Sequence, residues 1–195
     1  VTPTHFVPRI ALALERAKEA GLRIPVVYNT GSYEKADTLK RMDGLVDIYL
    51  PDMKYVSPAL AQRYSHAPDY FETASLAVAE MVRQVGEPVF DGNTGLMKKG
   101  VIVRHLVLPG CTADSKKVIR YLYQTYGDRI FISIMNQYTP IGEFPEFPEL
   151  NRRVSRREYD RVVDFALELG VENGFIQEGE TAEESFIPEF DGEGL

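Results

Sequence analysis

An α/β architecture with a parallel sheet is what this sequence predicts, from the alternation of its apolar segments and from where its glycines fall. Strand-like apolar runs and helix-spaced segments follow one another about five times, and continuous apolar strands separated by helices imply a parallel sheet covered on both faces. Glycines close the helical stretches, as at Gly21 and Gly86.

The elements follow in order. "VTPTH" reads as a strand end running into a loop with two hydroxyls and an imidazole. Ile10, Leu12, Leu14 and Ala17 carry helical spacing from Arg9 to Ala20. "IPVVYNTGSY" is a buried strand closed by Asn, Gly and Ser, and a short helix follows around Lys35 to Arg41. "LVDIYLPDMKY" is the next strand. Ser57 caps a helix with Pro58 at its first position. Asp69 starts a longer helix, "DYFETASLAVAEMVRQVG". "GVIVRHLVLPG" is the strongest strand signal, and Thr112 or Asp114 begins the helix that runs to Tyr126. "RIFISIMNQYTP" is a strand, and the proline-bearing "IGEFPEFPELNRRVS" is a loop. Ser155 with Glu158 forms a capping box for a helix to Leu169, and "NGFIQEG" is a last strand. Residues 1–178 thus read as one domain; residues 179–195 read as an acidic tail, anchored through Phe186, Ile187 and Phe190.

The totals narrow the function. A chain of 195 residues can bury roughly 70% of its unfolded surface, enough for one core. A net charge of -7 and a pI near 5.1 argue against a nucleic-acid or anionic-membrane surface. No apolar run approaches the ~20 residues that span a bilayer. Cys111 is the single cysteine, so no internal disulfide forms, which suits a reducing cytoplasm.

Ligands of parallel α/β sheets sit at the carboxyl ends of the strands. Polar residues collect there: Thr2, Thr4 and His5; Asn29 and Thr30; Asp52 and Lys54; Arg104 and His105; Asn136 and Gln137; Gln177 and Glu178. Arg104 lies within an apolar strand and needs a carboxylate or an anionic ligand. Asp52 and Lys54 share one side of an extended segment and are placed to pair with each other. His105 alternates to the other face, as a hydrogen-bonded core histidine would. His66 sits where it caps a helix end. Cys111 stands at a helix start, where the dipole favours a thiolate, but no Cys–His arrangement makes it a nucleophile. Zinc-ligand spacing, a nucleophile elbow, a phosphate loop and a dinucleotide fingerprint are all missing from the sequence.

"GVIVRHLVLPGCTADS" resembles the strand of pyruvate formate-lyase activating enzymes that reads apolar strand, Arg-x-Val-Val-x-Pro-Gly, then Asp or Ser opening a helix. "YNTGSY" sits where those proteins have a Thr-Asn-Gly type turn, and "IYLPDMKY" where they have a strand ending in Asp-x-Lys. With "VTPTHFVPRI", "APDYF", "EMVRQVG" and "GFIQEG", the set is similar to a less characterised activating-enzyme-like branch of the radical S-adenosylmethionine (SAM) superfamily, over residues 1–178. The resemblance implies a partial TIM-type (β/α) barrel of about five to six strands. It implies an open edge where a first strand and a CxxxCxxC cluster loop would precede "VTPTH", so the chain is expected to be part of a longer protein and inactive alone. It implies SAM and one 4Fe-4S cluster in the complete protein, reductive cleavage of SAM to a 5'-deoxyadenosyl radical, and hydrogen abstraction, with a protein glycine as one class of target. The implied partners are a glycyl-radical-type protein and a flavodoxin or ferredoxin reductant, in the cytoplasm, with no nucleic acid or membrane. The SAM positions implied are Thr2, Thr4, His5, Asn29, Asp52, Arg104, Met135 and Gln137. Asn29, Thr30, Leu50 and Asp52 match a monovalent-cation site, with Asn29 where an Asp is usual; "MNQY" departs from the expected "LPYH". Two other readings stay open from the residues: a cluster-free domain binding a nucleotide-like ligand, and a partial-barrel aldolase or isomerase using Lys54.

Overall fold

The computed structural model describes residues 2–176. The last strand end expected, Gln177 and Glu178, and the acidic tail lie outside the described residues. Five parallel strands stand side by side in chain order: β1 (Val27–Thr30), β2 (Ile48–Pro51), β4 (Met97–Leu106), β5 (Phe131–Met135) and β6 (Gly174–Ile176). A short strand, β3 (Val89–Phe90), pairs antiparallel with the start of β4. The sheet has β1 and β6 at its two ends and does not close on itself among the described residues. This is the expected partial barrel.

The helices form where the spacing and caps predict. They are α1 (Val7–Glu19), α2 (Ala36–Leu39), α3 (Pro58–Ser65), α4 (Tyr70–Val85), α5 (Thr112–Tyr126) and α6 (Arg156–Leu169). Ser57 Oγ accepts from Leu60 N at the start of α3, and Ser155 with Glu158 closes a full capping box on α6. His66 is the C-cap of α3, in the left-handed conformation, and caps through its backbone N–H. Gly170 ends α6 at φ 92°, a region that costs glycine nothing.

Sheet coverage departs from expectation. Neighbouring parallel strands joined by right-handed crossovers place all the helices on one face. Tyr28, Tyr49, Val101, Val103, Ile132 and Ile134 are buried there, against Val78 and Met81 of α4, Ile119 and Leu122 of α5 and Val162 of α6. The alternate positions Asn29, Leu50, Ile102, Arg104, Ser133 and Met135 are exposed or half-buried. Strands written as unbroken apolar runs therefore do not have two covered faces here. The second face is the concave side of an incomplete barrel, and Arg104 of β4 lies on that side.

β3 is an element that the sequence reading did not contain. Asp91 turns the chain by accepting from Asn93 N at 3.0 Å and Thr94 N at 2.9 Å, and it pairs with Lys98. Those bonds hold the Asp91 carboxyl well below the usual carboxylate range, the Lys98 ammonium foremost.

Candidate active site

The candidate site lies on the open face, at the carboxyl ends of β1, β2 and β4. Arg104 donates from Nε and Nη2 to one oxygen of Asp52, Oδ1, at 3.0 and 2.7 Å. Nη2 also donates to Asn29 Oδ1 at 2.6 Å. Three strands thus meet at one guanidinium. The register explains why: Asn29 lies opposite Leu50, and Asp52 forms an isolated bridge with Arg104, so all four share a face. Arg104 and Asp52 keep 26% and 21% of their side-chain surface exposed, so the pair lines a cleft rather than the core. Among the described residues, Nη1 of Arg104 and Oδ2 of Asp52 make no hydrogen bond. The site thus offers one unused cationic donor edge beside one unused carboxylate oxygen, which is the complement of a zwitterion.

Tyr70 of α4 fixes this arrangement from the side. Its hydroxyl accepts from Lys54 N at 3.1 Å and lies 3.0 Å from the carbonyls of both Gly31 and Asp52, donating to one of them. The ring sits among Tyr33 and Tyr55. "APDYF" belongs to the resemblance, but no sequence signal marks Tyr70 for this role.

The other residues singled out divide into two groups. Leu50 lies half-buried on the open face, and so does Met135, opposite Leu106 in the register. Gln137 is half-buried just beyond β5. Thr2 and Thr4 approach each other at 2.7 Å, and Thr2 reaches Thr30 at 3.3 Å. Thr30 points to the helix side, where the residue is 1% exposed and its hydroxyl donates to Glu34. Its side chain is therefore not on the face of Asn29, Leu50 and Asp52, and its carbonyl continues the ladder, accepting from Asp52 N at 2.9 Å. Glu34, which also accepts from Tyr28 Oη at 2.8 Å, was not foreseen, because a turn glutamate gives no sequence sign of burial. His5 is exposed in the turn before α1.

Lys54 does not pair with Asp52; that carboxylate is taken by Arg104. The Lys54 side chain is exposed, without the desolvation that prepares an amine for Schiff-base chemistry. Cys111 reverses the expected direction. Burial pushes its thiol up, and that outweighs the hydrogen bond with Tyr64. Beyond the strand ends lies a cavity of about 340 Å³, walled by Tyr55, Tyr64, Leu108, Tyr138 and Phe147. Its roof is pinned by Arg63 and Tyr64, both donating to Glu149 Oε1 at 2.8 Å.

Among the described residues no group of three His, Cys, Asp or Glu side chains could hold a metal ion. No helix described is long and apolar enough to cross a membrane.

No protein-family model matches the chain. An uncharacterised protein of Methanocaldococcus jannaschii is 27% identical over 164 residues, covering 82% of this chain and 43% of that protein. The chain therefore spans less than half the length of this curated relative. A domain of a pyruvate-formate lyase-activating enzyme from Bacteroides vulgatus superposes with a TM-score of 0.63, over 90% of this chain and 93% of that one, at 12% identity. At that identity the likeness is one of fold, and the fold of this chain is that of the activating-enzyme domain.

Proposed function

We propose that this chain is the SAM-binding part of a radical SAM protein of the activating-enzyme type. The observation that carries the reading is the Arg104–Asp52–Asn29 constellation on the open face, with one cationic edge and one carboxylate oxygen unused. The methionyl head of SAM is a zwitterion, and its carboxylate and amine match those two groups. Apolar Leu50, Ile102, Leu106 and Met135 on the same face suit the rest of the molecule. The fold likeness and the sequence resemblance point the same way.

The residues fit SAM but do not fit a 4Fe-4S cluster. Cys111 is the sole cysteine, and its thiol is disfavoured as a thiolate. We assign the cluster ligands to sequence outside these 195 residues. SAM and a reduced cluster together would supply one-electron hydrogen-abstraction chemistry. This chain's share is to bind and orient. Arg104 holds a carboxylate in a site of reduced dielectric, Asp52 keeps that arginine in place and receives an amine, and Asn29 fixes Nη2. A protein glycine as target and a flavodoxin or ferredoxin as reductant, in the cytoplasm, belong to the same proposal.

Calorimetry of SAM on the complete, cluster-loaded protein tests it. Arg104→Ala should weaken binding by roughly 30-fold or more, because a truncated partner strands the remaining part-buried charge. Cluster content should be unchanged. Equal affinity in wild type and Arg104→Ala would remove the reading. Equal affinity of this chain alone and of the loaded protein would favour a cluster-free nucleotide-binding domain instead.

A further inference from the structure

We propose that His105 is a positioning residue, which sets Asp52 against Arg104 through one hydrogen bond to the carbonyl of Met53. Arg104 and His105 are neighbours in β4 and point to opposite faces. The guanidinium lies on the open face, and the imidazole lies in the sheet–helix core, 2% exposed. His105 Nδ1 is 2.8 Å from Met53 O. A carbonyl only accepts, so Nδ1 carries the hydrogen and Nε2 is bare. Nε2 is buried and has no partner among the described residues. A leucine would fill this place without an orphaned ring nitrogen but would leave the Met53 carbonyl without its donor, so packing alone does not explain an imidazole here. The explanation is the bond that it does make.

That bond falls where the ladder gives out. β2 and β4 pair regularly at Ile48–Gly100 and Tyr49–Val101, and contact resumes only as the bridge between Asp52 and Arg104. Just past β2, Met53 N donates to Arg104 O at 2.9 Å. His105 Nδ1 takes the Met53 carbonyl. Both polar groups of Met53 are therefore held by consecutive residues of β4, and the Met53 side chain is fully buried. This two-point clamp fixes the residue adjoining Asp52, whose carboxylate must meet Nε and Nη2 of Arg104 together. An imidazole in the core thereby governs the geometry of a site on the opposite face.

The test uses two variants and two readouts. His105→Asn keeps a donor one atom beyond Cγ, close to the place of Nδ1, while H105L keeps bulk and loses the donor. In the isolated chain, ¹⁵N NMR of the wild type should show Nδ1 protonated and Nε2 bare; the opposite tautomer overturns the proposal without any variant. Hydrogen exchange at Arg104 Nε–H should be equally slow in wild type and H105N and about fivefold to tenfold faster in H105L, the scale of one lost hydrogen bond. A folded H105L with wild-type exchange overturns it too. If H105L does not fold, the tautomer and H105N decide: fast exchange in a folded H105N sinks the idea. In the complete cluster-loaded protein, H105L and not H105N should lose SAM affinity by a similar factor. That last arm rests on the SAM reading. If Arg104→Ala leaves affinity unchanged, the SAM reading fails, while the spectroscopy still judges His105.

Discussion

Tyr70 and His105 each bind the chain just past β2 through a single polar atom. Tyr70→Phe removes the acceptor of Lys54 N and the donor to one of the carbonyls of Gly31 and Asp52. The stranded, part-buried groups should cost about 1–3 kcal/mol, read from urea denaturation; an unchanged midpoint would show that water replaces the hydroxyl. His105 makes stability depend on pH. Burial pushes its imidazole below the ordinary value of 6.5, so the unfolded chain binds the proton first. Stability should therefore be intact above about pH 6.5 and fall as the pH drops below it, and His105→Asn should flatten that slope. Carboxylates held low by partners, such as Glu158 beside Arg152, begin to remove further stability only as the pH falls through the usual carboxylate range. Melting temperatures of wild type and H105N between pH 7 and 5 check this. The convergence of Asn29, Asp52 and Arg104 was legible in the sequence, because Asn29 and Asp52 close apolar runs, Arg104 is a lone charge late in another, and strand ends of a parallel sheet meet at one rim. Thr30 was legible as well: it follows Asn29, so strand alternation sends its side chain to the other face. Tyr70 and Glu34 were not legible, since their partners depend on where a helix and a turn pack.

At the scale of elements, caps and turns carry the local information. The capping box of α6 does more than start a helix: Glu158 also accepts from Gly110 N at 2.8 Å, tying α6 to the loop after β4, and from Arg152. Ser155→Ala should cost about 1 kcal/mol, the usual loss of an N-cap. Glu158→Ala should cost more, because the Gly110 amide loses its acceptor too; equal losses in chemical denaturation would contradict the added role. Gly100 joins the β3–β4 hairpin to the parallel sheet at φ 145°, and a Cβ there would stand 3.2 Å from Pro88 Cα and 3.3 Å from Met97 Sδ. Gly100→Ala should thus destabilise by more than about 1 kcal/mol and loosen the hairpin first, seen as early exchange of the Val89 and Phe90 amides. The helices and the parallel strands were readable because period and caps agree in each. β3 was not, because two residues give no period and its turn, closed by Asp91, looks like any polar loop. The open second face was missed for a different reason: unbroken apolar strands look the same whether their second face meets helices or the inside of a barrel.

Across the whole molecule, strand order sets a gradient of stability. β4 is central, paired to β2 and β5, and Val101 and Val103 are fully buried beneath α4 and α5. β6 is at the other extreme: it pairs with β5 on one side, and all three of its residues are exposed, including Phe175, whose ring stacks on Phe131 at 5.3 Å. Opening β6 exposes little new apolar surface, whereas opening β4 requires the helical layer to leave as well. Amide exchange should therefore rank β4 slowest, opening only with global unfolding, then β2 and β5, with β6 exchanging by local fraying. β1 should fall between, since Tyr28 and Thr30 are buried while one backbone edge lacks a neighbour among the described residues. Native-state hydrogen exchange with rising denaturant separates these units. If the amides of Gly174–Ile176 were protected as long as those of Val101–His105, β6 would be covered in solution by a further segment or a second copy, and the gradient argued from strand order would fail.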